Sequence, residues 1–168
     1  AHAAEKILPD SKKEDDEELR LKYIRPFDSS YAVGNSAIAV TQVKDEVNRM
    51  LDMVSKNISD AFDTLIKYDE KSRQKVEERE EYIDYLNKGI SEYIVSLMSG
   101  EMNADDSRKI NGYYAIISNL ERIGDHATNI AEYADDMKKW ELQFSDNVLE
   151  ELEEMKKQCI TCLENVKN

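Results

Sequence analysis

The 168-residue chain contains only five glycines, two prolines and two cysteines. So few helix-breaking residues predict long helices, and no alternation of apolar and polar residues indicates a strand. No apolar run of about 18 residues is present, so we expect neither a membrane-spanning helix nor a signal peptide. The motifs of nucleotide-binding loops, metalloproteases and serine hydrolases are missing, and no nucleophile has an adjacent base. The sequence therefore predicts a protein that is not an enzyme.

Basic residues are also few: the chain has 23 Lys and Arg and 36 Asp and Glu, which gives a net charge of −13. A surface of this sign repels phosphate backbones, so we expect no nucleic acid partner. The acidity favours cations as ligands, or serves only to keep the protein soluble.

Apolar residues recur at helical spacing in four stretches, over about residues 36–67, 70–98, 103–139 and 145–166. Asn103 is a predicted N-cap of the third helix, and Gly100 is a predicted stop after the second. Short connections place neighbouring helices antiparallel, so the expected fold is an all-α, up-and-down helical bundle. The expected core residues are Val43, Val47, Met50, Val54, Ile58, Ala61, Leu65, Val76, Ile83, Leu86, Ile90, Tyr93, Ile94, Leu97, Tyr113, Ile116, Leu120, Ile123, Ala127, Ile130, Ala134, Met137, Val148, Leu152, Met155, Cys159, Cys162 and Val166.

The two cysteines, Cys159 and Cys162, form a CxxC pair in the fourth helix. A structural zinc site needs two further ligands, and a thioredoxin-like site needs a βαβ context, which the chain lacks. Both positions fall on the apolar stripe, so we interpret them as small core residues in a reducing, cytoplasmic setting. Whether the pair has a redox role is left open by the sequence.

The N-terminal part divides into two segments ahead of the helices. Residues 1–22 are strongly charged and indicate a linker or a cloning remnant, and residues 23–35 indicate an extended entry segment. We expect its apolar residues to lie against the helical body: Tyr23, Ile24, Phe27 and Tyr31.

Acidic residues follow stripes on two of the predicted helices. Glu121, Asp125 and Asn129 recur every four residues on the third helix. The stripe of the second helix consists of Glu77, Glu80, Glu81 and Asp84. Like charges at this spacing repel by about a few tenths of a kcal/mol per pair, and a bound cation would reverse that sign. Carboxylate oxygens suit Mg²⁺, Mn²⁺, Ca²⁺ or iron, but the spacing alone is more typical of an ordinary solvated face.

The segments LERIGDHATNIAE and EEYID resemble the paired signatures of the PhoU family. The resemblance implies a three-helix repeat over residues 36–139, with 145–166 as the possible start of a second repeat. It also implies divalent or iron ions on the bundle surface, held by Glu80, Asp84, Glu121 and Asp125. The weaker candidate ligands are Glu77, Glu81 and Asn129. The chain departs from the family pattern because it contains one complete repeat plus one helix.

Residues 21–51, LKYIRPFDSSYAVGNSAIAVTQVKDEVNRML, look like the segment that precedes the C-terminal PhoU-like domain of bacterial sodium/phosphate cotransporter-related proteins. That resemblance implies a regulatory domain on the cytoplasmic face of the cell membrane, which modulates phosphate uptake through helix-face contacts. Its partner would be a membrane transporter domain in the same chain or a separate transporter.

Two other functions fit the same residues. One is a free-standing PhoU-like regulator of phosphate signalling, which contacts a transporter or a sensor kinase. The other is a structural or oligomerisation bundle that binds no ligand. The apolar stripe of the fourth helix must be buried somewhere, and it either closes a four-helix bundle or pairs with another copy in a homo-oligomer.

Overall fold

The computed structural model of the protein describes residues 19–24 and 36–167. Its four helices are α1 (Ser36–Ile66), α2 (Glu70–Met98), α3 (Ala104–Lys139) and α4 (Asp146–Val166). The described residues contain no strand, which confirms the predicted all-α class, and each helix begins and ends within about one residue of its predicted bounds. None of these helices combines the length and the apolar character that crossing a bilayer requires.

Side-chain caps fix where α2 and α3 begin. The Asp69 carboxylate accepts a hydrogen bond from the backbone N–H of Ser72 at 2.8 Å. The Asn103 side-chain oxygen accepts from the N–H groups of Asp105 and Asp106 at 3.0 and 2.9 Å, which confirms the predicted cap. These bonds satisfy donors that have no partner inside the helix, so they stabilise the first turns of α2 and α3.

Helices α1, α2 and α3 form the three-helix bundle, and every pair of the three is in contact. The predicted stripes of α1 and α2 are buried, except that Leu65 and Tyr93 are half-buried. The largest fully buried apolar side chains are Met50, Ile83, Leu86, Ile90, Ile94, Ile110 and Ile117. One continuous core therefore runs along the bundle axis.

The buried face of α3 is rotated from the predicted one. Ile116, Ile123 and Ile130 are only half-buried, whereas Gly124 and Ala131 are buried. The reason is that α3 packs against both α1 and α2, so its buried face is centred between them. Gly124 and Ala131 thus lie in the buried face together with Ile117 and Leu120, and the three half-buried isoleucines lie at its edge.

Helix α4 packs against α1 alone among the described helices, so it does not close a four-helix bundle. Its predicted stripe is wrong as a core: Met155 is 54% exposed, Val166 is 53% exposed and Cys162 is exposed. Cys159 is half-buried, and the only buried residue of the helix is Leu163. A helix that contacts one neighbour buries one narrow strip, which leaves the rest of its apolar face uncovered.

The described N-terminal residues 19–24, which we call the strap, lie against α1 and α2. Ile24 is buried, as predicted, and Tyr23 is largely exposed. The strap makes hydrogen bonds from Arg20 onward, inside the segment predicted to be a linker. Phe27 and Tyr31 lie outside the described residues.

Candidate functional site

Three carboxylates meet where α2 packs against α3. Glu80 and Asp84 come from α2, and Asp125 comes from α3. One carboxylate oxygen from each lies within 4.8 Å of the others. Asp84 and Asp125 are exposed and Glu80 is half-buried, so the cluster, which we call the acidic cluster, is open to solvent on one side.

The local sequence explains why the two helices bring these groups together. Residues four apart lie on one helix face, so Glu80 and Asp84 point the same way. A Cβ atom on Gly124 would lie 3.2 Å from Ile83 Cγ2, so the absence of a side chain lets α3 approach α2 closely. Asp125 directly follows this glycine, and the close approach places its carboxylate beside those of α2.

The electrostatics show an excess of negative charge, which Arg122 offsets only in part at Glu121. Burial raises the pKa of Glu80, and the neighbouring charges of Asp84 and Asp125 raise it further, followed by those of Glu81 and Glu121. Burial also raises the pKa of Glu121, and Asp125 and Asp84 add to that effect. Two elevated pKa values in one place mean that the site favours a bound proton or another cation.

The remaining predicted ligands are not among the three converging carboxylates. Glu121 shares its electrostatic field but is not among the three converging groups, and Glu81 acts on Glu80 only through its charge. Glu77 instead forms an ion pair with Arg73, at 3.6 Å between Oε2 and Nη1. Asn129 is exposed.

Two neutral oxygens escaped the sequence prediction. Asn87 Oδ1 and Thr128 Oγ1 are buried and have no hydrogen-bond partner within the described part of the chain. Asn87 follows Asp84 by three residues and Thr128 follows Asp125 by three, so each lies one turn further along an acidic stripe.

Comparison with known proteins identifies a family match that includes the acidic cluster. The PhoU domain model matches residues 47–134, which include every member of the acidic cluster. This chain belongs to the PhoU family. The matched region of the PhoU domain covers most of α1, all of α2 and most of α3, so the family match lies within the three-helix bundle.

Three relatives of this PhoU domain are named phosphate-specific transport system accessory protein PhoU homologs. The Clostridium acetobutylicum protein is 33% identical over 93 residues, which cover 54% of this chain and 42% of that protein. The Aquifex aeolicus protein is 34% identical over 94 residues, which cover 55% and 42% of the two chains. Homolog 1 of Thermotoga maritima is 32% identical over 117 residues, which cover 69% and 50%.

The matched part of the PhoU domain spans half or less of the length of these relatives. No solved structure matches the chain significantly.

Proposed function

We propose that this PhoU domain regulates phosphate transport, and that it acts by contact with a transporter and not by catalysis. Membership of the family supports the proposal, as does the name of its relatives, which are accessory proteins of phosphate-specific transport systems. The exposed faces of α2, α3 and α4 supply the contact surface. The domain belongs, on this proposal, at the cytoplasmic face of the cell membrane.

The transporter that fits best is a sodium/phosphate transporter whose membrane domain precedes this domain in the same chain. The resemblance of residues 21–51 to the segment before such domains supports this arrangement. A separate transporter is the second candidate, and the word "accessory" in the names of the relatives favours it. Membrane helices encoded in the same reading frame would decide for the first candidate.

The observation that carries the regulatory mechanism is the convergence of Glu80, Asp84 and Asp125. We propose that these carboxylates, with Glu121 beside them, hold a divalent cation or iron. The oxygens of Asn87 and Thr128 are further candidate ligands, because hard cations accept neutral oxygens as well as carboxylates. A cation there would cancel the repulsion across the interface and fix α2 relative to α3, which would change the helix surface that the transporter meets.

The test combines metal analysis with thermal unfolding of the purified chain. We expect Mn²⁺, Mg²⁺ or Fe²⁺ to raise the melting temperature, and we expect Asp125→Asn to remove most of that rise. Glu92→Gln is the matched control, because it makes the same change of charge at an exposed position of α2 that is not part of the acidic cluster. No metal bound and no shift with any of the three ions would contradict the metal site and favour a ligand-free bundle.

Phosphate uptake tests the regulatory role separately. Cells that lack the gene should show altered phosphate uptake, and the wild-type gene should restore it. If Asp125→Asn restores uptake control as well as the wild type does, regulation does not need the cation. If deletion leaves uptake unchanged, the proposal of a phosphate-transport regulator is wrong.

A further inference from the structure

The strap is held by a carboxylate that is fully buried in the body of the protein. Glu46 of α1 is 0% exposed, although it carries a charge. Its Oε2 accepts hydrogen bonds from the backbone N–H groups of Lys22, Tyr23 and Ile24 at 2.8, 2.7 and 3.3 Å. Its Oε1 accepts from Arg49 Nε at 2.6 Å. A buried carboxylate is costly unless such partners satisfy it, so the strap is part of what permits Glu46 to be buried.

A second set of hydrogen bonds binds Arg20, near the start of the strap. The Arg20 carbonyl oxygen accepts hydrogen bonds from Arg49 Nη2 at 2.7 Å and from the Tyr82 hydroxyl at 3.1 Å. The Arg20 backbone N–H donates to the same hydroxyl at 3.3 Å. The Arg49 guanidinium also stacks on the Tyr82 ring, 5.1 Å from its centroid, so the two holding side chains support each other.

An apolar contact completes the site. The Leu21 side chain lies on Gly89 of α2, where an added Cβ would come within 3.1 Å of Leu21 Cδ2. Ile24 is buried in the main core. Helix α1 thus provides Glu46, and α2 provides the surface on which Leu21 rests. The groove between them contacts main-chain groups of the strap together with two apolar side chains.

We propose that this groove is a docking site for the strap, and that the strap docks and releases as a unit while the bundle stays folded. The strap belongs to no helix, and its contacts within the described part of the chain are those with the groove, so on this proposal it forms a separate unit of stability. When the strap is docked, its first residues are held at a fixed point by Arg49 of α1 and Tyr82 of α2. The strap is therefore the joint that sets the position of the bundle relative to the preceding chain.

This docking is independent of the proposed metal. Tyr82 stands between Glu80 and Asp84 in the sequence, two residues from each, and so projects from the opposite side of α2. The groove and the acidic cluster therefore use different faces of one helix. Failure of one site would leave the other untouched.

Hydrogen exchange of the intact chain tests the proposal, read at the amides of Lys22, Tyr23 and Ile24. In the wild type we expect these amides to be protected at least about tenfold, and to exchange faster than amides in the middle of α2. Glu46→Gln should remove most of that protection. Gly89→Leu should do the same through Leu21, while the better helix former keeps α2 stable.

Gly112→Leu is the control, because Gly112 is exposed on α3 and a Cβ there would contact nothing within 4 Å. It should leave exchange in the strap unchanged. Unprotected strap amides in the wild type would overturn the docking, as would protection that survives both groove variants. If the strap amides exchange only together with the amides in the middle of α2, the strap is not a separate unit of stability.

Discussion

A pair of glycine substitutions in α3 tests whether close helix contact builds the acidic cluster. Alanine is favoured over glycine in a helix interior by about 1 kcal/mol. At Gly112 a Cβ meets nothing within 4 Å, so Gly112→Ala should stabilise the protein by about that amount. At Gly124 a Cβ would lie 3.2 Å from Cγ2 and 3.5 Å from Cδ1 of Ile83, which is fully buried. Overpacking of this kind costs about 1–3 kcal/mol, so Gly124→Ala should range from neutral to about 2 kcal/mol destabilising.

The assay is thermal or urea unfolding of the two variants and the wild type, followed by circular dichroism without added metal. For a chain of this size, 1 kcal/mol corresponds to about 2–4 °C in melting temperature. Gly112→Ala should therefore melt above the wild type, and Gly124→Ala at or below it. Equal stabilisation by both would refute the reasoning, because it would mean that α2 and α3 separate easily and that their close approach does not position Asp125.

The other predictions concern charge and helix capping. In the folded protein the pKa of Glu80 is raised above its usual 4.5. At a pH above this raised value, the ionised side chain lowers the stability of the fold. At a pH below 4.5, the side chain is protonated in both states and this cost disappears. Glu80→Gln should thus stabilise the metal-free protein at pH 7 by about a few tenths of a kcal/mol and lose that advantage below about pH 4. Thermal unfolding of the variant and the wild type at both pH values checks this prediction. Destabilisation by the variant at pH 7 would contradict it. Asn103→Ala should cost about 1 kcal/mol, because it removes two cap bonds. Ser145→Ala should change the free energy of unfolding little, since Ser145 makes no side-chain cap bond, and equal urea midpoints for the two cap variants would contradict the assignment.

The sequence predicted the helices well because apolar spacing and cap residues are local signals. It predicted the buried face of α3 poorly, because that face depends on two partners and its centre is marked by small residues such as Gly124. For α4 the periodicity showed an apolar face but not which neighbour would cover it. Spacing alone therefore placed Cys162 in the core, whereas it is exposed.

The acidic cluster and the groove that holds the strap also differ in how well the sequence predicts them. Glu80, Asp84 and Asp125 were candidates because repeated acidic residues on one helix face are visible in the sequence. Glu46 was missed because it looks like any other glutamate of an amphipathic helix, and its partners are backbone N–H groups more than 20 residues away. No side-chain pattern reveals a contact with main-chain atoms of a distant segment.

The central place of α1 limits where another protein can bind. Helix α1 packs against α2, α3 and α4, and the strap lies over part of its remaining surface. Even two exposed carboxylates of α1, Asp52 and Asp63, are occupied by Lys167 and Lys156. Substitutions that abolish partner recognition but leave the fold intact should therefore be found on the outer residues of α2, α3 and α4, whereas harmful substitutions in α1 should act by unfolding the domain.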